Sequence, residues 1–285
     1  MKRVGVTAEC VCDLPEDYLR AHDVDVIDFY IHTDTGRFRD GREITAGNIL
    51  EYLENGGARA ETNSPEPEEY REFFEKSLRK YDEIVHIAIS GQVGESVRNA
   101  ATAREKMGED GRRVTVIDSE HLSTGMGLMV MRAVELRDAG YSAGEIAREI
   151  IAMRRKVATT FITVSADYLR RNGRVSQNVE KLCAFFMVHP VLMLKDGRIS
   201  LKTLRIGNYE KAVMRYIRGE LKRGGQIDTG RLFITHAGCT LKMLSQIRAE
   251  AQRLCRFDEI IVTQASATIS GNCGPGTVGV LFLQK

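Results

Sequence analysis

The chain has 285 residues, 43% of them hydrophobic, with 41 basic and 39 acidic side chains and a formal net charge of +2. That length holds one large or two ordinary domains, and the apolar fraction supports a buried core without staples. The charge balance argues against a polyanion such as nucleic acid as the main partner.

Short apolar strands are predicted at residues 4–6, 84–89 and 114–117, and helices at 15–21, 46–54, 66–80, 95–106, 127–139 and 142–155. Ser64, ahead of Pro65 and Glu68, supplies a cap, a proline near the first helical position and an acid in the first turn. Continuous apolar strands alternating with helices imply a doubly wound parallel sheet. After Lys156 the pattern changes. Strands are predicted at 159–164, 191–194, 199–201, 232–234, 260–263 and 278–283, with helices at 177–186, 209–222 and 241–254. Asp196-Gly197 between two apolar runs reads as a tight hairpin, which makes the second sheet mixed. The expected fold class is α/β in two domains with a ligand cleft between them. Residues 1–157 form the N-terminal doubly wound domain and 158–285 the C-terminal mixed-sheet α/β domain.

Glu9 and Asp13 interrupt any secretory segment after Met1-Lys2-Arg3, and the longest apolar stretch, 182–194, is too short for a membrane helix. A soluble, cytoplasmic protein with no membrane span is expected. The six cysteines contain no Cys-x-x-Cys pair, and Cys10-x-Cys12 is too tight for the usual zinc spacing, so reduced thiols are expected. Gly274-Pro275-Gly276-Thr277-Val278-Gly279 spells Gly-x-Gly-x-x-Gly but precedes a strand near the end of the chain. A dinucleotide fingerprint opens a helix after the first strand, so the segment reads instead as a sharp loop. No phosphate loop and no metal motif is present, and no cofactor is expected. His86, His189 and His236 sit singly in apolar strands and read as core residues. His121, although close to Asp118 and Ser119, does not make a triad by sequence proximity.

Several segments in chain order carry a family resemblance. Cys12-Asp13-Leu14-Pro15 follows the first strand, and Phe38-Arg39-Asp40-Gly41 precedes Glu43-Ile44. Thr62-Asn63-Ser64-Pro65 comes next, then Asp118-Ser119 with Ser123, Gly125 and Gly127. The stretch Tyr168 to Arg205 runs from the Asn172-Gly173 turn through an apolar helix and the His189-Pro190-led strand to the Asp196-Gly197 hairpin, and Asn272-Cys273-Gly274-Pro275-Gly276 lies near the end. In this order, over nearly the whole chain, the pieces resemble the DegV family of bacterial fatty-acid-binding proteins.

The resemblance implies non-catalytic binding of a long-chain fatty acid, presented to a separate fatty-acid kinase that phosphorylates its carboxylate. It also implies site residues. Thr62 matches one head-group donor, and Ser90 the first serine of the family's Ser-Ser-x-x-Ser-Gly-Thr segment. Gly91 replaces the second serine, and Gly94-Glu95 the later Ser-Gly. Asn272 stands where the His of His-x-Gly-Pro-Gly is expected; its amide donates but does not titrate. Gly274 belongs to the same ligand-facing loop, and Glu9-Cys10-Val11 replaces the family's Asp-Ser-Thr. Arg174, with Arg205 second, marks the surface for the kinase. Thr62, Ser90 and Asn272 are read as loop residues expected to converge on one carboxylate, with Leu182, Phe185, Phe186 and Val191 lining an elongated apolar cavity. The alternative reading is a small-molecule hydrolase or transferase using Ser90 or Cys10 in the same cleft, although nothing in the sequence activates either group.

Overall fold

The computed structural model describes residues 2–57, 60–165, 167–171, 173, 187–222 and 226–285. The first sheet is built from β1 (Val4–Glu9), β2 (Asp25–Ile27), β6 (Glu83–Ala88) and β7 (Val114–Asp118), all parallel, in the order β2-β1-β6-β7. β1 and β6 are buried almost end to end, as strands covered on both faces must be. One face is covered by α3 (Pro67–Leu78) and α4 (Ser96–Lys106), around Tyr70, Phe74 and Ala100. The other is covered by α5 (Ser123–Asp138) and α6 (Ala143–Met153). α1 (Glu16–Ala21) connects β1 to β2.

Between β2 and α3 the chain builds a small antiparallel sheet, order β4-β3-β5, from β3 (Tyr30–Thr33), β4 (Gly36–Arg39) and β5 (Glu61–Asn63), with α2 (Ala46–Glu54) inserted before β5. The sequence pattern gave no sign of these three- and four-residue strands. The cap of α3 also differs from expectation. Glu66 accepts the amide of the third helical residue while Glu69 takes the Glu66 amide, and Pro67, not Pro65, stands at the first helical position.

The second sheet has the order β10-β9-β8-β13-β11-β12, formed by β8 (Val157–Ile162), β9 (Val188–Lys195), β10 (Arg198–Ile206), β11 (Ile227–His236), β12 (Glu259–Gln264) and β13 (Val278–Gln284). Only β11 and β12 pair in parallel. The predicted hairpin is present: Asp196 and Gly197 join β9 to β10 with φ of 49° and 77°, the left-handed pair that a two-residue hairpin turn demands.

Side chains alternate across this sheet. Leu232, Ile234, Val278 and Val280 face α8 (Tyr209–Leu221) and α9 (Leu241–Leu254) on the outer side. Phe161, Leu192, Phe233 and Leu281 face inward and join the same core as β1 and α5. α5 is thus packed between the two sheets and is buried on nearly every side. Its close approach depends on small residues. A Cβ on Gly125 would stand 2.1 Å from the Thr159 hydroxyl, and one on Gly127 would stand 2.7 Å from the Cys12 carbonyl. Two short helices complete the described chain, α7 (Asp167–Arg171) and α10 (Ala267–Cys273). The predicted helix at 177–186 lies outside the described residues. No described helix is long and apolar enough to cross a membrane.

Candidate functional site

A cavity of about 400 Å³ lies between the two sheets. Its inner wall takes Leu122 from the start of α5, Phe161 and Leu281 from the second sheet, Leu169 from α7 and Ile269 from α10. Several hydroxyls also line it, and five of them are committed to another protein group. Ser123 donates to Asp13 at 2.5 Å, Thr159 bonds His121 at 2.9 Å, and Thr160 bonds the Tyr216 hydroxyl at 3.0 Å. Thr235 bonds Thr124 at 2.6 Å, and Thr277 donates to the Cys273 carbonyl at 2.9 Å. A hydroxyl whose bonds are made elsewhere offers a ligand little beyond carbon surface, so this wall behaves as apolar. The exposed lining residues Asn63, Glu66, Gly94, Glu95 and Arg98 mark the opening. Arg98 is paired there with Glu95.

Beside that opening two expected residues meet. Thr62, on β5, and Asn272, on α10, both line the cavity, and the Asn272 amide donates to the Thr62 Oγ1 at 2.9 Å. Asn272 also donates to the Thr268 carbonyl at 2.8 Å. A carbonyl only accepts, which fixes the amide orientation and assigns both Asn272 hydrogens. Thr62 accepts one of them. Both positions were read from sequence as loops; one lies on a strand and the other on a helix.

α10 is mounted on the N-terminal half of the chain by two buried carboxylates. Asp13 takes the Ser266 amide at 2.9 Å, and Asp40 takes the Ala267 and Thr268 amides at 2.9 and 2.8 Å. These are the amides a helix start leaves open, and an anion is favoured there. Burial nevertheless dominates both groups: it pushes the Asp13 carboxyl up to about 7 and raises that of Asp40 as well. Thr268, the next residue of α10, lines the cavity with its hydroxyl oxygen buried beside the Asp40 carboxyl. The carboxylates come from the Cys-Asp-Leu-Pro and Phe-Arg-Asp-Gly segments. The sequence singled out those segments without revealing that their acids hold a helix more than 220 residues away.

Ser90 does not join Thr62 and Asn272. Its hydroxyl donates across the cleft to the Gly197 carbonyl of the β9–β10 hairpin at 2.7 Å and accepts the Gln92 amide. A Cβ on Gly197 would stand 2.7 Å from that hydroxyl, so the hairpin glycine serves this contact as well as its φ. The Gly91 amide is held by Asp118 at 3.3 Å. Gly274 caps α10 with φ of 82°, and the Tyr168 ring packs where its side chain would be, 2.2 Å from an added Cβ. Val191 faces outward into the α8–α9 core, because strand alternation turns Leu192 and Leu194 to the inner side instead. Arg174, Leu182, Phe185 and Phe186 lie outside the described residues. Glu9 forms a buried network beneath the site, accepting from the Tyr70 hydroxyl at 2.6 Å, the Ile89 amide at 2.8 Å and Ser96.

Of the nucleophile candidates, Ser90 contacts no base among the described residues, and burial holds the Cys10 thiol well above its ordinary range. Among the described residues, no group of three or more His, Cys, Asp or Glu could hold a metal ion.

A model of the DegV family of uncharacterised proteins matches residues 3–285. A DegV domain-containing protein of Caldanaerobacter subterraneus subsp. tengcongensis is 26% identical over 287 residues, covering 100% of both chains. A DegV family protein from Thermus thermophilus, solved for its fatty acid binding, superposes with a TM-score of 0.87 at 27% identity, over 99% of this chain and 100% of that one. The Streptococcus pneumoniae Fatty Acid Kinase B3 protein, solved loaded with linoleic acid, shares the fold with a TM-score of 0.85 at 19% identity, over 99% of each chain.

Proposed function

Because the chain belongs to the DegV family, we propose that it binds one long-chain fatty acid non-covalently and presents the carboxylate to a separate fatty-acid kinase. The carrying observation is the cavity between the sheets. Five of its wall hydroxyls are bonded within the protein, and the Thr62–Asn272 pair lies beside its opening. An acyl tail needs the first, since each buried CH₂ contributes about 0.8 kcal/mol. A carboxylate needs the second, since an anion taken from water without donors costs several kcal/mol. In this reading Thr62 donates to the head group and Asn272 holds Thr62 in place. A head group beside the opening is also where a second protein could reach it. The fatty acid bound by the Thermus thermophilus protein and the linoleic acid in the Streptococcus pneumoniae kinase B3 protein support the ligand class and the partner.

The role is binding rather than catalysis. A hydrolase would need an activated nucleophile, and the Ser90 and Cys10 environments favour neither attack nor thiolate formation. Denaturing extraction of the purified protein followed by mass spectrometry should return a long-chain fatty acid near one per chain. Adding a fatty-acid kinase and ATP should then yield the acyl phosphate only when this protein is present. Recovery of no acyl lipid, together with no thermal shift on adding hexadecanoic acid, would overturn the proposal.

A further inference from the structure

Gly279 is out of place for a strand residue. It lies in β13, an interior strand of the second sheet, opposite Phe161 of β8 and Thr235 of β11. Glycine weakens a strand interior, so its presence there calls for a reason. Backbone conformation is not the reason, because Gly279 is not among the positive-φ glycines. Its neighbours stand less close than those of Gly125 and Gly127. A Cβ on Gly279 would come no closer than 3.0 Å to the Thr160 carbonyl, 3.2 Å to Leu281 and 3.4 Å to Phe161. That is tight, and the neighbours would have to give by a few tenths of an ångström. The second feature of the position is the cavity. Gly279 lines it on the same inward row as Leu281, while Val278 and Val280 face the outer core.

We propose that Gly279 sets the length of acyl chain the protein accepts, by leaving the wall open where the tail passes Phe161 and Leu281. The inference rests on the fatty-acid reading above and deepens it. Gly279 is two residues along the strand from Thr277, about 6.6 Å, and Thr277 is bonded to Cys273 beside the Asn272 head site. A methyl added there narrows the path beyond the head group rather than at it. Short chains that end before this point should not sense it, whereas longer ones must pass it.

The test is the affinity of the intact protein for saturated acids of 4, 6, 8, 12 and 16 carbons, measured for wild type and Gly279→Ala. The expected result is a graded loss, within twofold for the shortest acid and tenfold or more for the longest, with the melting temperature of the ligand-free protein little changed. The double variant Gly279→Ala/Leu281→Val removes bulk at the side chain nearest the new methyl, and it should recover most of the long-chain affinity. It also serves if the single variant does not fold. An equal loss at every chain length, or no loss at any, would overturn the assignment. A wild type that binds none of the acids would overturn the fatty-acid reading itself and this inference with it.

Discussion

The two ends of the cavity handle the same kind of side chain in opposite ways. Along the wall, Ser123, Thr159, Thr160, Thr235 and Thr277 turn their hydroxyls into the protein, where Asp13, His121, Tyr216, Thr124 and the Cys273 carbonyl are their hydrogen-bond partners. Beside the opening, the Thr62 hydroxyl accepts from the Asn272 amide, a side chain that also lines the cavity. A lining rich in threonine is therefore apolar at one end and hydrogen-bonding at the other. Residue type alone does not distinguish the two; the partner behind each hydroxyl does.

The strongest way to break this contrast is to dismount α10. Asp40→Ala leaves the Ala267 and Thr268 amides without their buried acceptor. The expected loss is about 3 kcal/mol in urea denaturation, with ligand affinity falling too because Asn272 rides on that helix. A stable variant with normal affinity would show that the head end does not depend on this mounting.

Asp13 gives a pH signature. Its folded-state carboxyl, raised to about 7 from an ordinary 3.8, binds its proton more tightly than in the unfolded chain. The stability it contributes is therefore fully present below about pH 4 and is lost as pH rises to about 7, by at most about 1.4 kcal/mol per pH unit. The difference between wild type and Asp13→Asn, followed by denaturation across that range, should show this slope. A difference that rises with pH would contradict the burial of this group.

Two isosteric swaps sharpen the comparison. Thr62→Val should weaken fatty-acid affinity about tenfold, or about 1.4 kcal/mol. Thr235→Val should leave affinity within twofold and lower stability by about 1 kcal/mol, through the lost bonds to Thr124 and Thr263. Calorimetric titration of both variants with hexadecanoic acid decides the matter. Equal losses of affinity would erase the distinction between wall and head.

Much of the fold was legible because long apolar runs leave little choice. β1, β6 and β7, the α8 and α9 helices and the Asp196-Gly197 hairpin all stand where the pattern placed them. The small sheet was not legible. β5 is Glu61–Asn63, three residues without an apolar member, and it exists because β3 pairs with it. α10 was hidden by its glycine and by the Gly-Pro-Gly loop that follows. The site divided along the same line. Thr62 and Asn272 were named through the family resemblance, but their contact depends on these two unread elements. Ser90 was assigned to the head group through the same family resemblance, as the first serine of its Ser-Ser-x-x-Ser-Gly-Thr segment. Its actual partner, the Gly197 carbonyl, lies 107 residues away across the cleft, and no local pattern reports such an approach. The roles of Asp13 and Asp40 were equally non-local.

The most direct test is a crystal structure of the protein with hexadecanoic acid bound. The account predicts the tail along Leu122, Phe161 and Leu281, and a carboxylate oxygen about 3 Å from the Thr62 hydroxyl. A carboxylate paired with Arg98 at the opening, its Thr62 contact absent, would contradict the head-site assignment. Acyl density lying outside this cavity would contradict the account as a whole.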